Sequence, residues 1–203
     1  MKIIAIGRNY AAHAKELNNP VPGKPVIFLK PDTALLKDNK AFYIPDFSNN
    51  IHFELEVVLK ISKEGKHISE KFAQKYYEEI GLGIDFTARD IQNEHKEKGL
   101  PWELAKAFDH SAAVSNFIPT AEFTDLANLD FELKINDEIR QQGNTSMMLF
   151  SYNNIIAFVS QYITLKKGDL IFTGTPEGVG QVHAGDKLFA TLNGRELLNF
   201  DIK

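Results

Sequence analysis

Along most of this chain, apolar and polar positions alternate in short runs rich in β-branched residues. Such runs predict strands at Lys2–Ile6, Pro25–Lys30, His52–Ile61, Ile80–Phe86, Phe131–Asn136, Leu170–Thr173 and Lys187–Leu192. Helical periodicity is confined to a few places. Ser69–Ile80 has Ser69 as N-cap and Gly81 past its end, and Thr87–Lys98 opens on a Thr87/Asp90 pair of capping-box type and stops at Gly99. A third helix is expected from Tyr152 to Leu165, with Ile155, Ile156, Val159 and Ile163 as its apolar stripe, and a shorter one over Tyr10–Leu17. Helices are not interleaved regularly with strands. A doubly wound parallel sheet therefore fits poorly, and the pattern predicts an α+β fold that is mainly β.

Composition narrows the chemistry. The 203 residues contain no repeat and no Pro-, Gly- or Ser-rich linker, so a single domain over 1–203 is expected. The chain has no Cys, which excludes disulfides, thiol nucleophiles and thiolate metal sites and suggests a reducing compartment. A formal charge of −4 gives no electrostatic reason to bind nucleic acid or anionic lipid. The N-terminal run Ile3-Ile4-Ala5-Ile6 is shorter than a secretory core of about 7–15 apolar residues or a span of about 20, so no membrane partner and a cytoplasmic location are expected.

One predicted strand carries acid. In His52-Phe53-Glu54-Leu55-Glu56-Val57, alternation puts Glu54 and Glu56 on one face, about 6.6 Å apart at about 3.3 Å per residue, and Phe53, Leu55 and Val57 on the other. Side-chain bending could close both carboxylates on one hard cation such as Mg²⁺ or Mn²⁺, although the segment by itself reads first as a solvent-facing strand. Asp85 ends the glycine-bearing run Ile80–Phe86, where it can serve either a site or the cap of the next helix. Arg89 and Gln92 follow on one helical face and can look back toward Asp85.

Several familiar motifs fail. His52-Phe53-Glu54 lacks the Cys partners of a zinc deaminase, and Gly174-Thr175-Pro176-Glu177-Gly178-Val179-Gly180 lacks the order of a phosphate loop. Neither a G-x-S-x-G elbow nor an H-E-x-x-H helix occurs.

Six motifs in order carry a resemblance: Gly7-Arg8-Asn9-Tyr10 with His13 and Glu16-Leu17; Lys30-Pro31; His52-x-Glu54-x-Glu56; Asp85-x-Thr87-Ala88-Arg89-Asp90-x-Gln92; Lys98-Gly99-Leu100-Pro101-Trp102 through Ala105-Lys106 to Phe108-Asp109; and Gly168-Asp169 through Thr173-Gly174-Thr175-Pro176 to Gly178-Val179-Gly180. Together they resemble the fumarylacetoacetate hydrolase family nearly end to end, most closely its small acylpyruvate hydrolase and oxaloacetate decarboxylase members. The resemblance implies a mixed β-roll, a Mg²⁺ or Mn²⁺ cofactor, a small 2-oxo acid substrate and a homodimer. It implies Glu54, Glu56 and Asp85 as metal ligands, His13 and Glu16 as a catalytic dyad on a closing segment, Lys106 as a cation facing the substrate, and Arg8, Arg89, Gln92 and Thr175 as substrate contacts. Without it, His13 and Glu16 read as two solvated residues on a short helix. One departure is His110, where the family pattern has Gly after the Phe-Asp pair.

The implied activity is a metal-dependent hydrolysis of acylpyruvates to pyruvate and a carboxylic acid through an enolate, with His13 activating water. Oxaloacetate decarboxylation and isomerisation of 2-hydroxyhepta-2,4-diene-1,7-dioate are alternative exits from the same arrangement. A non-catalytic binding module is the rival from another class, and the presence of every implied site residue argues against it.

Overall fold

The computed structural model describes residues 1–16 and 20–203. In chain order its first half supplies β1 (Ile3–Gly7), α1 (Ala11–Glu16), β2 (Val26–Lys30), β3 (Leu35–Leu36), β4 (Ile51–Phe53), β5 (Leu55–Ile61), β6 (Tyr77–Asp85), β7 (Thr87–Ala88) and α2 (Arg89–Lys98). Then follow α3 (Glu103–Lys106), β8 (Ala112–Val114), β9 (Ile118–Pro119), β10 (Asp130–Ile135), β11 (Glu138–Asn144), α4 (Tyr152–Tyr162), β12 (Leu170–Phe172), β13 (Gly180–Gln181), β14 (Lys187–Leu192) and β15 (Arg195–Asp201).

The fold is α+β and mainly β, as expected. A large sheet runs β2-β1-β12-β5-β6-β8-β3 with β9 added beside β6; a second runs β11-β10-β14-β15, and a small third runs β13-β4-β7. In the large sheet β1 lies parallel to β12 and β3 to β8, while its other pairings are antiparallel.

Strand parity divides the interior. Ile4 and Ile6 of β1 and Leu55, Val57 and Leu59 of β5 join Leu133, Leu188, Ala190 and Leu198 in the main core between the two larger sheets. Ile3, Ala5 and Val58 face the other way, into a smaller cluster with Ala112, Val114, Leu170 and Phe172. Glu54 and Glu56 have the parity of Val58, so the acidic face turns away from the main core, as alternation predicts. Gly83 lies opposite Glu56 across β5 and β6, and a Cβ there would come within 2.5 Å of the Phe172 ring, so close strand approach requires glycine.

Local expectations are corrected in several places. Ser69–Ile80 is not an α-helix: a 3₁₀ segment covers Glu70–Tyr76, Ser69 makes no side-chain cap bond, and Tyr77 already begins β6. Pairing of Tyr77–Ile84 with β5 overrides the local helical spacing. The strand expected over His52–Ile61 breaks at Glu54, where the chain passes from the small sheet (β4) to the large one (β5). Thr87 is strand, and α2 starts at Arg89; the predicted Thr87/Asp90 box is absent because Asp90 instead accepts bonds from Ser48 Oγ (2.6 Å) and the Asn49 (3.1 Å) and Ile91 (2.9 Å) amides. The helix α4 is shorter than expected and is capped by Ser151. Of the helix expected over Tyr10–Leu17, α1 covers Ala11–Glu16 and Leu17 lies outside the described residues. Among the described residues, no helix is long and apolar enough to cross a membrane.

Candidate active site

The break at Glu54 builds the site. The Asp85 amide donates to the Glu54 carbonyl (2.9 Å), which ties the start of β5 to the end of β6. Glu54, Glu56 and Asp85 then converge, with one oxygen of each lying within 4.8 Å of the others. All three are buried, at 5%, 2% and 0% exposure, which overturns the solvent-facing reading of the acidic strand.

Three cations answer this charge. Lys106, from the end of α3, donates to Glu54 Oε2 (2.8 Å), Asp85 Oδ2 (2.7 Å) and Thr87 Oγ1 (2.6 Å), which uses all three of its N–H groups. Arg89, the first residue of α2, reaches Glu54 Oε1 and Gln92 Oε1, each at 2.5 Å. Lys30, at the end of β2, lies 2.6 Å from Asp85 Oδ1 and also donates to the Ser111 carbonyl (3.1 Å), Ser111 Oγ (3.0 Å) and the Lys106 carbonyl. Burial alone would raise the pKa of Glu54, but Lys106 and Arg89 outweigh it and hold the carboxyl well below its usual range. For Lys106, burial is likewise outweighed by Asp85 and Glu54, and its pKa rises. Lys30 goes the other way: burial wins over the pull of Asp85 and lowers it.

Glu56 is different. Among the described residues no Lys or Arg pairs with it, and its charge is met by the Gly174 amide at 2.6 Å. Burial, then Asp85 and Glu54, push its carboxyl well above the usual range. The Gly174 turn has φ of +102°, and a Cβ there would lie 2.6 Å from Asn9 Cβ, so only glycine brings this amide under Glu56.

Above the carboxylates, α1 places His13 Nδ1 3.0 Å from Glu16 Oε2, and Glu16 Oε1 accepts from the Gly178 amide at 3.0 Å. Thr175 is fixed from below: Gln141 donates to its Oγ1 (2.9 Å) and to the Pro176 carbonyl (3.0 Å) and accepts from the Leu55 amide (2.9 Å). His52 lies beside Arg89; burial first, and then that guanidinium, lower its pKa to about 4, so it stays neutral near pH 7.

One cleft collects these groups. Nine of the ten residues singled out in the sequence line it: Arg8, His13, Glu54, Glu56, Asp85, Arg89, Gln92, Lys106 and Thr175. Glu16 reaches it through His13. Sequence reasoning placed Lys30 in a motif without giving it a site role, and it missed Lys96, which also lines the cleft, and Gln141. Lys30 was findable, because it has the parity of Phe28 on β2, and Phe28 faces the same cleft. His110 adopts φ of +62°, a left-handed conformation suited to the Gly expected there from the family resemblance.

A model of the fumarylacetoacetate (FAA) hydrolase C-terminal family matches residues 2–200. The mitochondrial oxaloacetate tautomerase FAHD1 of Bos taurus is 43% identical over 201 residues, which cover 99% of this chain and 91% of that protein. Oxaloacetate tautomerase YcgM of Escherichia coli is 42% identical over 197 residues, covering 97% and 90%. Among solved structures, fumarylpyruvate hydrolase from Pseudomonas aeruginosa, in complex with Mn²⁺ and pyruvate, superposes with a TM-score of 0.94 at 32% identity, covering 100% of this chain and 89% of that one. With these matches, this chain belongs to the fumarylacetoacetate hydrolase family of enzymes.

Proposed function

We propose that the protein is a divalent-metal-dependent enzyme of 2-oxo acids that moves a proton at the carbon beside the keto group, with oxaloacetate tautomerisation as its first activity. The observation that carries this reading is the buried Glu54–Glu56–Asp85 cluster in the cleft that also holds the His13–Glu16 pair. The names of the oxaloacetate tautomerase relatives support placing this reaction ahead of the acylpyruvate hydrolysis expected from the sequence.

The residues fit Mg²⁺ or Mn²⁺. The donor set is all carboxylate oxygen, which hard cations prefer, and Glu56 is a buried acid with no cation of its own among the described residues. When bound, the ion acts as a Lewis acid on the 2-oxo group. The chain's own residues do the rest. A carboxylate can only accept, so Glu16 fixes the proton on His13 Nδ1 and leaves a lone pair on Nε2. That lone pair takes one C3 proton of oxaloacetate, the C–H electrons become the C2=C3 bond, and the carbonyl π pair moves to oxygen. The proton now on Nε2 passes to that oxygen directly or through water, giving the enol with no loss of atoms. Lys106, whose N–H groups are held by Glu54, Asp85 and Thr87, stabilises negative charge on that oxygen through its positive charge rather than by donating to it. Arg8, Arg89, Gln92 and Thr175 contact and orient the substrate.

Acylpyruvate hydrolysis is the second reading, supported by the fold and identity shared with the Pseudomonas fumarylpyruvate hydrolase. There His13 takes a proton from water, hydroxide adds to the C4 carbonyl, and the C3–C4 pair stays on C3 as the enolate of pyruvate. The test follows enol-to-keto conversion of oxaloacetate beside pyruvate release from acetylpyruvate and fumarylpyruvate, with Mg²⁺ or Mn²⁺. Metal-dependent turnover that is lost in Glu54→Gln and Asp85→Asn is expected. Full activity of either variant in chelator-treated buffer removes the metal assignment, and no acceleration of any of these substrates removes the function.

A further inference from the structure

Helix α2 presents Arg89, Gln92 and Lys96 at i, i+3 and i+7, one stripe along the cleft. Arg89 is already committed to Glu54 and Gln92. Lys96 is not: it is half-buried, and among the described residues no carboxylate lies within ion-pair distance of it. Its helical neighbour Glu94 is held by Lys98 at 2.6 Å instead.

Arg8 converges on the same space. It has no acidic partner among the described residues, its guanidinium lies 6.0 Å from the centre of the Trp102 ring, and Trp102 lines the cleft too. Its backbone has φ of +61°, a left-handed conformation costing a residue with a side chain about 1–2 kcal/mol. The chain thus holds Arg8 at a backbone cost beside a lysine that its charge repels. Burial, then Arg89 and Arg8, lower the Lys96 ammonium to about 8. Two like charges in one cleft, neither with a carboxylate within ion-pair distance among the described residues, make a receptor for an anion. That anion is separate from the group that meets Glu54, Glu56 and Asp85, whose cations Lys30, Lys106 and Arg89 are already engaged.

We propose that Lys96 and Arg8 form a subsite for the distal carboxylate of a 2-oxo dicarboxylic acid, so that this cleft selects dicarboxylates over 2-oxo acids with an uncharged far end. The proposal rests on the reading of the cleft as a 2-oxo acid site. Lys96 is the new member, a specificity residue on the helix that also carries Arg89 and Gln92.

The test separates binding from turnover. Mn²⁺-loaded protein is titrated calorimetrically with oxalate, which has no distal group, and with 3,3-difluorooxaloacetate, which has one and no C3 proton to lose. Lys96→Met is expected to weaken the difluoro dicarboxylate about tenfold more than it weakens oxalate, and Lys96→Arg to recover most of that difference. In turnover by Lys96→Met, kcat/KM for oxaloacetate should fall about tenfold relative to that for its 4-ethyl ester, which keeps the 2-oxo carboxylate but has an uncharged far end. Equal loss on both ligands, or no loss on either, overturns the subsite. Selective binding without turnover of any 2-oxo acid keeps the subsite and refutes the proposed reaction.

Discussion

Lys30→Met is the sharpest probe of how the acidic cluster is held. The side chain is buried, at 1% exposure, and its ammonium meets Asp85 Oδ1 at 2.6 Å and three oxygens of Ser111 and Lys106. Methionine fills similar volume but leaves a buried carboxylate short of a cation, while the Ser111 carbonyl keeps the Phe86 amide (2.9 Å) and the Lys106 carbonyl keeps Ser111 Oγ (2.9 Å). Breaking a buried pair from one side costs about 3–5 kcal/mol. Asp85 keeps Lys106 at 2.7 Å, so the lower end, about 3 kcal/mol, is expected. For a chain of this size that lowers Tm by about 6–12 °C, measured by circular dichroism in chelator-containing buffer. Lys30→Met with Asp85→Asn should be less destabilised than the sum of the single changes by about 1–3 kcal/mol, because the second change removes the stranded charge. A Tm within about 2 °C of wild type for Lys30→Met, or strict additivity in the double variant, would refute the reasoning.

Three further outcomes follow from the same geometry. His13→Ala should lower turnover by about 10²–10⁴-fold while leaving Mn²⁺ affinity by calorimetry unchanged, since His13 is assigned the proton and not the metal. Lys96, lowered to about 8 by burial, Arg89 and Arg8 with Glu54 pulling back, is charged below that pH and neutral above it. The kcat/KM for oxaloacetate should therefore fall as pH rises through about 8, and in Lys96→Arg that descending limb should move to higher pH; a limb unmoved by the substitution assigns it to another group. His110→Gly should stabilise the fold by about 1 kcal/mol, since His110 is exposed with φ of +62°, and raise Tm by about 2–4 °C on thermal denaturation.

What was legible in the sequence followed how local each signal is. Lys187–Leu192 alternates cleanly and is the strand β14 with the expected bounds. Ser69–Ile80 failed because Phe72, Ala73, Tyr76, Tyr77 and Ile80 mimic a helical stripe, whereas Tyr77 and Ile80 belong to a long-range ladder with β5. Strand β11 was missed because it is an edge strand with one buried side chain, Gln141, and shows no apolar alternation. That residue is also the one supporting Thr175, so the miss concealed part of the site. The carboxylates were visible as residues, and the family resemblance grouped them. Their burial was not visible, because it depends on β5 leaving the small sheet at Glu54 and on Lys30 and Lys106 arriving from distant segments.

Glu16 has both carboxylate oxygens committed, one to the His13 imidazole and one to the Gly178 amide of a distant segment of the chain. The two contacts share one side chain, so they are made or lost together. A displacement of α1 that lets substrate in also takes away the partner that keeps the His13 proton on Nδ1. If α1 moves to admit substrate, an open cleft and an oriented His13 base would be mutually exclusive states of one short helix. In the proposed reaction, the enol would then form only with α1 in place, an order of events set by Glu16 without any further sensor.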